Sequence, residues 1–317
     1  MANRNHMEKQ RAVKRQAGFT MLELLASMFI MVVAGGIVVG SLIGMTKAQG
    51  TISNRTEMHS SIRSATELLE QEIGQAGGIA LPGNATLAAA IAAAGSQAVT
   101  ISSTASGNST SGIFVNEQLS IDTGANQETV TVTAVTSSQI TASFTLAHST
   151  GVSVAPLGGF SGGIVPPSVT NGSTGSVLKI FGNINGDGNM VYVEYTCDTT
   201  GGNLYRNSMP YDAAHSAKPA LSSGLVLLPN ILANPGNAAC FTYQTKTVGG
   251  TDYIVDVAVT LTAQTQAVDP QTGFFQQETK ALLNVSPRNV FEVWNSASLG
   301  LSNRIQPVPA SVTSLLP

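Results

Sequence analysis

The chain has 317 residues, only 10% of them charged, with a net charge of −3. Gly, Ser, Thr, Asn and Ala are abundant, which suits a β-rich exported surface better than a cytosolic enzyme, and the length allows two modest domains. The acidic balance gives no electrostatic reason to expect nucleic-acid binding.

The N-terminal stretch organises the rest. An apolar run extends from Phe19 to Met45 and is broken by one charge, Glu23; from Leu24 to Thr46 there is no ionisable side chain. That length spans a hydrocarbon core as a helix. A carboxylate at the helix centre costs about 2.5–3.5 kcal/mol and less near the end, so Glu23 calls for a partner. Arg4, Lys9, Arg11, Lys14 and Arg15 precede the run against Glu8, a net +4 that leaves −7 for the chain beyond Gly18. Positive charge on that flank places the leader in the cytoplasm and the C-terminal body outside. A secretory signal is cut after its apolar run, at a site of A-x-A type. None follows here, and the candidate site, Gly18-Phe19, comes before the run. Cleavage there leaves the helix on the mature chain, with a free amine at Phe19 one turn from Glu23. A plain membrane anchor with a stray Glu is the alternative.

Basic leader, Gly, Phe-Thr, two apolar residues, Glu and apolar run, as in KRQAGFTMLELL, resemble the prepilin signal of type IV pilins and type II secretion pseudopilins. The resemblance implies cleavage by a prepilin peptidase after Gly18 and N-methylation of Phe19. It implies pairing of Glu23 with the N-terminal amine of a neighbouring subunit, which removes two unpaired charges from an apolar setting. The implied partners are prepilin peptidase, other pilins or pseudopilins through the N-terminal helix, and an inner-membrane assembly platform. The implied location is the inner membrane, single-pass with a cytoplasmic N-terminus, then a periplasmic pseudopilus or an extracellular pilus.

In chain order, the predicted parts are a leader (1–18), a long helix (19–78, with 19–45 transmembrane), a connector (79–95), an inserted β module (96–157), a linker (158–175), a β domain (176–300) and an irregular tail (301–317). The fold class is α+β: a long helix, transmembrane then amphipathic, packed on a C-terminal antiparallel sheet, with a small β module inserted. Gly36, Gly40 and Gly44 share one helix face and let helices approach closely in lipid; local flexibility is the other reading. Met58, Ile62, Ala65, Leu69, Ile73 and Ala76 form an amphipathic stripe, while Glu57, Arg63, Glu67, Glu70 and Glu72 fall mostly on other faces. Gly74, Gly77 and Gly78 mark the helix end, and Pro82-Gly83 confirms the break. The segment ELLEQEIGQAG is similar to the same region of large minor pilins and J-type pseudopilins.

Residues 85–94 are Ala-rich and read as a short helix. QAVTIS, EQLSID, ETVTVTAV and QITASFTL alternate apolar and Ser/Thr residues as strands, and QLSIDTGANQETVTVTAV resembles small β modules inserted in other exported bacterial proteins. Residues 158–176 read as a Gly/Ser/Pro-rich linker. Its GFSGG satisfies the G-x-S-x-G pattern around Ser161 but lacks the strand, helix, His and acid that a nucleophile elbow needs. From Ser176 to Arg288 strands return, with hairpin turns at TTGGN and VGGTD; VEYTCDTTGGNLYRN and NVSPRN are similar to the large minor-pilin and J-type group.

Cys197 and Cys240 lie in the exported part, where an even count favours one disulfide over two buried thiols. NINGDGNMVYVE approaches the EF-hand template, with Asn183, Asn185, Asp187 and Glu194 as oxygen ligands for Ca²⁺ and Gly188 at the sharp turn. Asn at the first position and a strand-like MVYVEYTC depart from that template, and an ordinary turn is the alternative. No cofactor is required. The histidines are scattered, and HExxH, CxxC and a phosphate-binding loop are missing, so no catalytic residue is assigned. The reading is a non-enzymatic minor type IV pilin or J-type pseudopilin. The 299 residues left by cleavage suit a tip or assembly-initiating position. The rival is a membrane-anchored adhesin or ligand-binding protein that uses the inserted β module.

Overall fold

A computed structural model describes residues 18–317. The basic leader, with the charge cluster read above, lies outside the described residues. The chain forms two compact units. One contains the residues up to Ser53 with Asp269–Gly273; the other contains Asn54–Val268 with Phe274–Pro317. Helix α1 (Met21–Gln75) contributes to both.

In the first unit, Thr20 starts α1. Its Oγ1 accepts the Glu23 N–H at 3.3 Å and its carbonyl accepts the N–H groups of Glu23 and Leu24, each at 3.1 Å, which satisfies donors that a helix N-terminus leaves open. The hydroxyls of Ser27, Ser41 and Thr46 bond back to the carbonyls of Leu24, Ile37 and Leu42. These three hydroxyls therefore need no water partner. Asp269 closes its loop by accepting from Gln271 N and Thr272 Oγ1, and it takes the Thr51 hydroxyl at 2.5 Å.

In the second unit, all six residues of the predicted stripe, Met58 to Ala76, are buried. They pack in one core with residues of two antiparallel sheets. The seven strands before these sheets make a barrel: β1 (Ala85–Leu87), β2 (Gly95–Ser103), β3 (Gly107–Asn108), β4 (Gln118–Ile121), β5 (Glu128–Val135), β6 (Gln139–Phe144) and β7 (Ser153–Pro156). Their order is β1-β7-β4-β5-β6-β2-β3; a further β1–β2 pairing closes six of them into the ring, and the two-residue β3 pairs with the end of β2 outside it. Leu87, Ile101, Leu119, Ile121, Val132, Ile140 and Phe144 fill it. Closure removes the exposed edges that a small insert would otherwise present.

After β8 (Gly159–Phe160) come β9 (Val177–Gly182), β10 (Val191–Asp198), β11 (Asn203–Pro210) and β12 (Val226–Pro229), which form a sheet in the order β12-β11-β10-β9. Next, β13 (Ile231–Leu232), β14 (Phe241–Val248), β15 (Thr251–Gln264) and β16 (Gln277–Val285) form the second sheet, with β15 central. Both predicted hairpins are present. At the tighter one, Gly249 and Gly250 carry φ of 58° and 80°, which a two-residue hairpin loop of type I′ requires. Helix α2 (Arg288–Ser298), β17 (Ile305–Gln306) and α3 (Ala310–Leu315) complete the chain.

Four expectations are corrected. The Ala-rich stretch 85–94 is not a helix: Ala85–Leu87 is the closing barrel strand, and Leu87 and Ile91 enter the barrel core. Burial of two aliphatic side chains overrides alanine's local preference. The first half of the linker is a buried strap, since residues 159–166 are buried and Phe160, Ile164 and Val165 join hydrophobic cores, while residues 167–171 are exposed. Its glycines permit close backbone contact: a Cβ on Gly163 would lie 2.1 Å from Gly77 Cα, and Gly77 itself has φ 79°. The tail is ordered by packing: β17 pairs in parallel with β8, and Val312, Leu315 and Leu316 are buried against Phe160, Phe181 and Tyr192. Finally, α2 stands where no helix was predicted. Its apolar spacing, with Val290 and Val293 buried and Trp294 and Ala297 packed beside them, is legible in NVFEVWNSA once sought.

Candidate functional site: the N-terminal processing and assembly segment

Gly18, Phe19 and Thr20 precede the helix in non-helical, exposed backbone. Space around Gly18 is open, and Phe19 is 78% exposed. The bond between Gly18 and Phe19 is thus accessible, immediately ahead of a capped helix. Glu23 lies in the first turn of α1 with its side chain exposed; there a carboxylate complements the partial positive charge of the helix N-terminus. Beyond it the apolar residues face outward without protein cover. Phe29, Ile30, Ile37, Val38 and Leu42 all remain more than half exposed. The helix is long and apolar enough to cross a membrane. Gly36, Gly40 and Gly44 lie at four-residue spacing along it, and nothing approaches within 4 Å of a Cβ built on any of them.

The cysteines form one disulfide, Cys197–Cys240, with Cα atoms 6.5 Å apart. It joins β10 to the residue before β14 and so ties the two sheets together.

The residues read as a calcium loop have other uses. Asn183 Oδ1 accepts Gly188 N–H at 3.1 Å, and Asp187 Oδ1 accepts Asn189 N–H at 2.9 Å. Asn185 lies in the same turn. Glu194 sits within β10, opposite Lys179 on β9 and Asn207 on β11. Its Oε2 accepts Lys218 Nζ at 2.7 Å and Tyr192 OH at 2.8 Å, with Lys179 Nζ 3.7 Å away. Lys179 Nζ also donates to Asn171 O and Leu316 O, and Lys218 Nζ donates to Leu315 O. Burial holds Lys179 below the usual lysine range, opposed by Glu194. This cluster anchors the tail. Among the described residues no group of three or more His, Cys, Asp or Glu is placed to hold a metal ion.

Sequence reasoning missed three buried polar groups. Glu72 is buried, and the Arg206 guanidinium and Tyr195 OH bind its carboxylate, the latter at 2.5 Å; burial and then Glu72 raise Tyr195. Among the charged residues read as lying mostly on other faces, Glu72 is the exception: it lies three residues from Leu69 and four from Ala76, a spacing that puts it on the buried stripe. His148 is buried in the barrel, with Nδ1 3.3 Å from Asp122 and Nε2 2.6 Å from Glu128. Glu128 is held below the ordinary carboxylate range by Thr145 and His148, against the opposing effect of burial. Glu117 is fully buried, and among the described residues its carboxyl's one hydrogen bond is from Phe114 N–H to Oε2 at 3.0 Å. Burial pushes it up to about 8.

The exposed bond, capped helix and uncovered apolar span describe a prepilin N-terminus. Residues 13–39 match the prokaryotic N-terminal methylation motif, which is typical of type IV pilins and pseudopilins. The motif implies processing by a prepilin peptidase and assembly with pilins, a class of generally non-catalytic structural subunits. No curated protein and no solved structure matches the chain.

Proposed function

We propose that the chain is a filament subunit, a minor type IV pilin or J-type pseudopilin, cut by prepilin peptidase after Gly18 and methylated at Phe19. One observation carries this reading: a methylation motif opens an apolar helix that the chain's own fold leaves uncovered. Lipid covers that surface before assembly and neighbouring helices cover it afterwards. In the filament, Glu23 of an incoming subunit pairs with the Phe19 amine of a neighbour, and the stripe of Gly36, Gly40 and Gly44 lets helices approach. The inserted barrel makes the body bulky, which suits a tip or initiating position with few lateral neighbours.

Mass spectrometry of the N-terminus from membrane and sheared-filament fractions tests this. The expected chain begins at Phe19 and is about 14 Da heavy from one methyl group. A chain retaining its leader in cells with active prepilin peptidase overturns the proposal. Removing one partner of a desolvated ion pair costs about 3–5 kcal/mol. Glu23→Ala is therefore expected to reach the membrane at normal levels yet fail to enter filaments; normal incorporation sinks the pairing mechanism.

A further inference from the structure

The tip of the loop between β15 and β16 lies against α1 just beyond the apolar run. A Cβ built on Gly50 would lie 3.1 Å from Pro270 Cγ, so the loop meets the helix where the helix has no side chain. Beside it the Thr51 hydroxyl donates to Asp269 at 2.5 Å. Gly273, at φ 75°, closes the turn by donating its N–H to Asp269 O at 2.8 Å. Asp269–Gly273 and the helix as far as Ser53 belong to one compact unit. The tip is therefore held at a fixed level along the helix axis.

The helix rise says what surrounds that level. From Leu24 to Met45 the uncharged run rises about 33 Å, close to the hydrocarbon thickness of about 30 Å. Lys47 is the first charge after the run, and a lysine there carries its ammonium to the headgroups. Gly50 is about 4–5 Å further along the axis, inside or at the edge of a headgroup zone that adds about 5–8 Å on each side.

Two aromatic side chains follow the pinned tip directly in the chain. Phe274 is 75% exposed and Phe275 44%, and Val268 on the other arm of the loop is exposed too. Between Gln264 and Glu278 the one ionisable residue is Asp269, which is buried and turned onto Thr51. The loop thus offers an apolar, uncharged surface, and anionic headgroups meet no exposed carboxylate on it.

We infer that the β15–β16 loop is an interfacial membrane anchor, with Phe274 and Phe275 seated at the headgroup and acyl boundary of the bilayer that α1 spans. Apolar side chains bind at that depth through the area they bury. The helix fixes the level of the tip, so the bilayer is its surroundings before any second subunit arrives. The inference rests on the reading of α1 as a membrane span and adds a second point of attachment to it.

The test is fluorescence quenching of the full chain in phosphatidylcholine vesicles, at no more than one chain per vesicle. Some of the lipids carry a nitroxide high on the acyl chain. Both native cysteines are in the disulfide, so one introduced cysteine takes an environment-sensitive dye. The probe sites are Gln271→Cys at the tip, Val38→Cys within the span, and Lys246→Cys, which pairs with Tyr253 near the opposite end of β15. Quenching of at least about twofold is expected at Val38 and at Gln271, as suits side chains about 5–10 Å into the boundary, and none at Lys246. Replacing both Phe274→Ser and Phe275→Ser is expected to bring the Gln271 probe to the Lys246 level and leave Val38 quenched. A quenched Val38 with Gln271 no different from Lys246 overturns the anchor alone. Quenching at Gln271 that survives the double Ser change does the same, since the helix by itself then brings the tip to the lipid. A Gln271 signal that changes only in assembled filaments assigns the loop to a neighbouring subunit and also overturns it. An unquenched Val38 overturns the span and the anchor together.

Discussion

At the residue scale, the buried polar groups make the sharpest predictions. Glu117 is a carboxyl with one backbone donor, so the folded protein keeps it protonated. In the fold it is pushed up to about 8, from the ordinary 4.5 of a solvated glutamate. Between those two values the folded state binds a proton that the unfolded state has released. The contribution is therefore full below about pH 4.5 and is lost as pH rises through about 8. Glu117→Gln, which mimics the protonated acid, is expected to remove that slope and to stabilise the protein at pH 8 by on the order of 3 kcal/mol. Thermal melts of both proteins at pH 5 and pH 8 check it; an equal pH slope in the two proteins refutes it. Glu72→Ala acts in the opposite sense. It leaves the partly buried Arg206 guanidinium without its carboxylate, and a cost of about 3 kcal/mol is expected in urea unfolding. The sequence reading grouped Glu72 with residues mostly on other faces of the helix, and only the position of Arg206 across the core gave it a partner.

At the element scale, α1 was legible for two reasons. Its first half is a continuous apolar run, and its second half carries apolar residues every three or four positions, which is the helix period. The barrel strands were legible from alternation. The Gly-rich strap and the tail were not, because they lack a period and owe their order to contacts distant in sequence. Gly163 illustrates this: its backbone lies against Gly77, where a side chain has no room. Gly163→Ala is expected to destabilise the second unit by more than about 3 kcal/mol, since two backbones have to separate. A Tm unchanged within about 2 °C refutes that packing. The disulfide works between elements. Cys197 and Cys240 are 43 residues apart, and in the chain-entropy account a loop of that size contributes about 4 kcal/mol. The double Ser variant is expected to unfold at correspondingly lower denaturant, with an unchanged fold by circular dichroism.

At the scale of the whole molecule, one surface dominates behaviour in solution. The side chains from Phe19 to Met45 are exposed and almost entirely apolar, a far larger patch than a soluble monomer presents. The full chain is expected to require detergent, whereas a chain starting at Asn54 keeps the whole buried stripe with its sheets and is expected to sediment as a monomer without it. Aggregation of that shorter chain refutes the assignment of α1's second half to the body.

The sequence by itself determined the processing motif, the membrane-length helix, the buried stripe and most strands. Each of these is written in neighbouring residues as a pattern of charge, length or period. It did not determine that the barrel closes through Ala85–Leu87, that residues 159–166 are buried and the tail is pinned by Val312, Leu315 and Leu316, or that Glu194 answers to Lys218 and Lys179. Those outcomes depend on which distant segments compete for the same space and the same hydrogen bonds, and only the assembled tertiary structure resolves that competition.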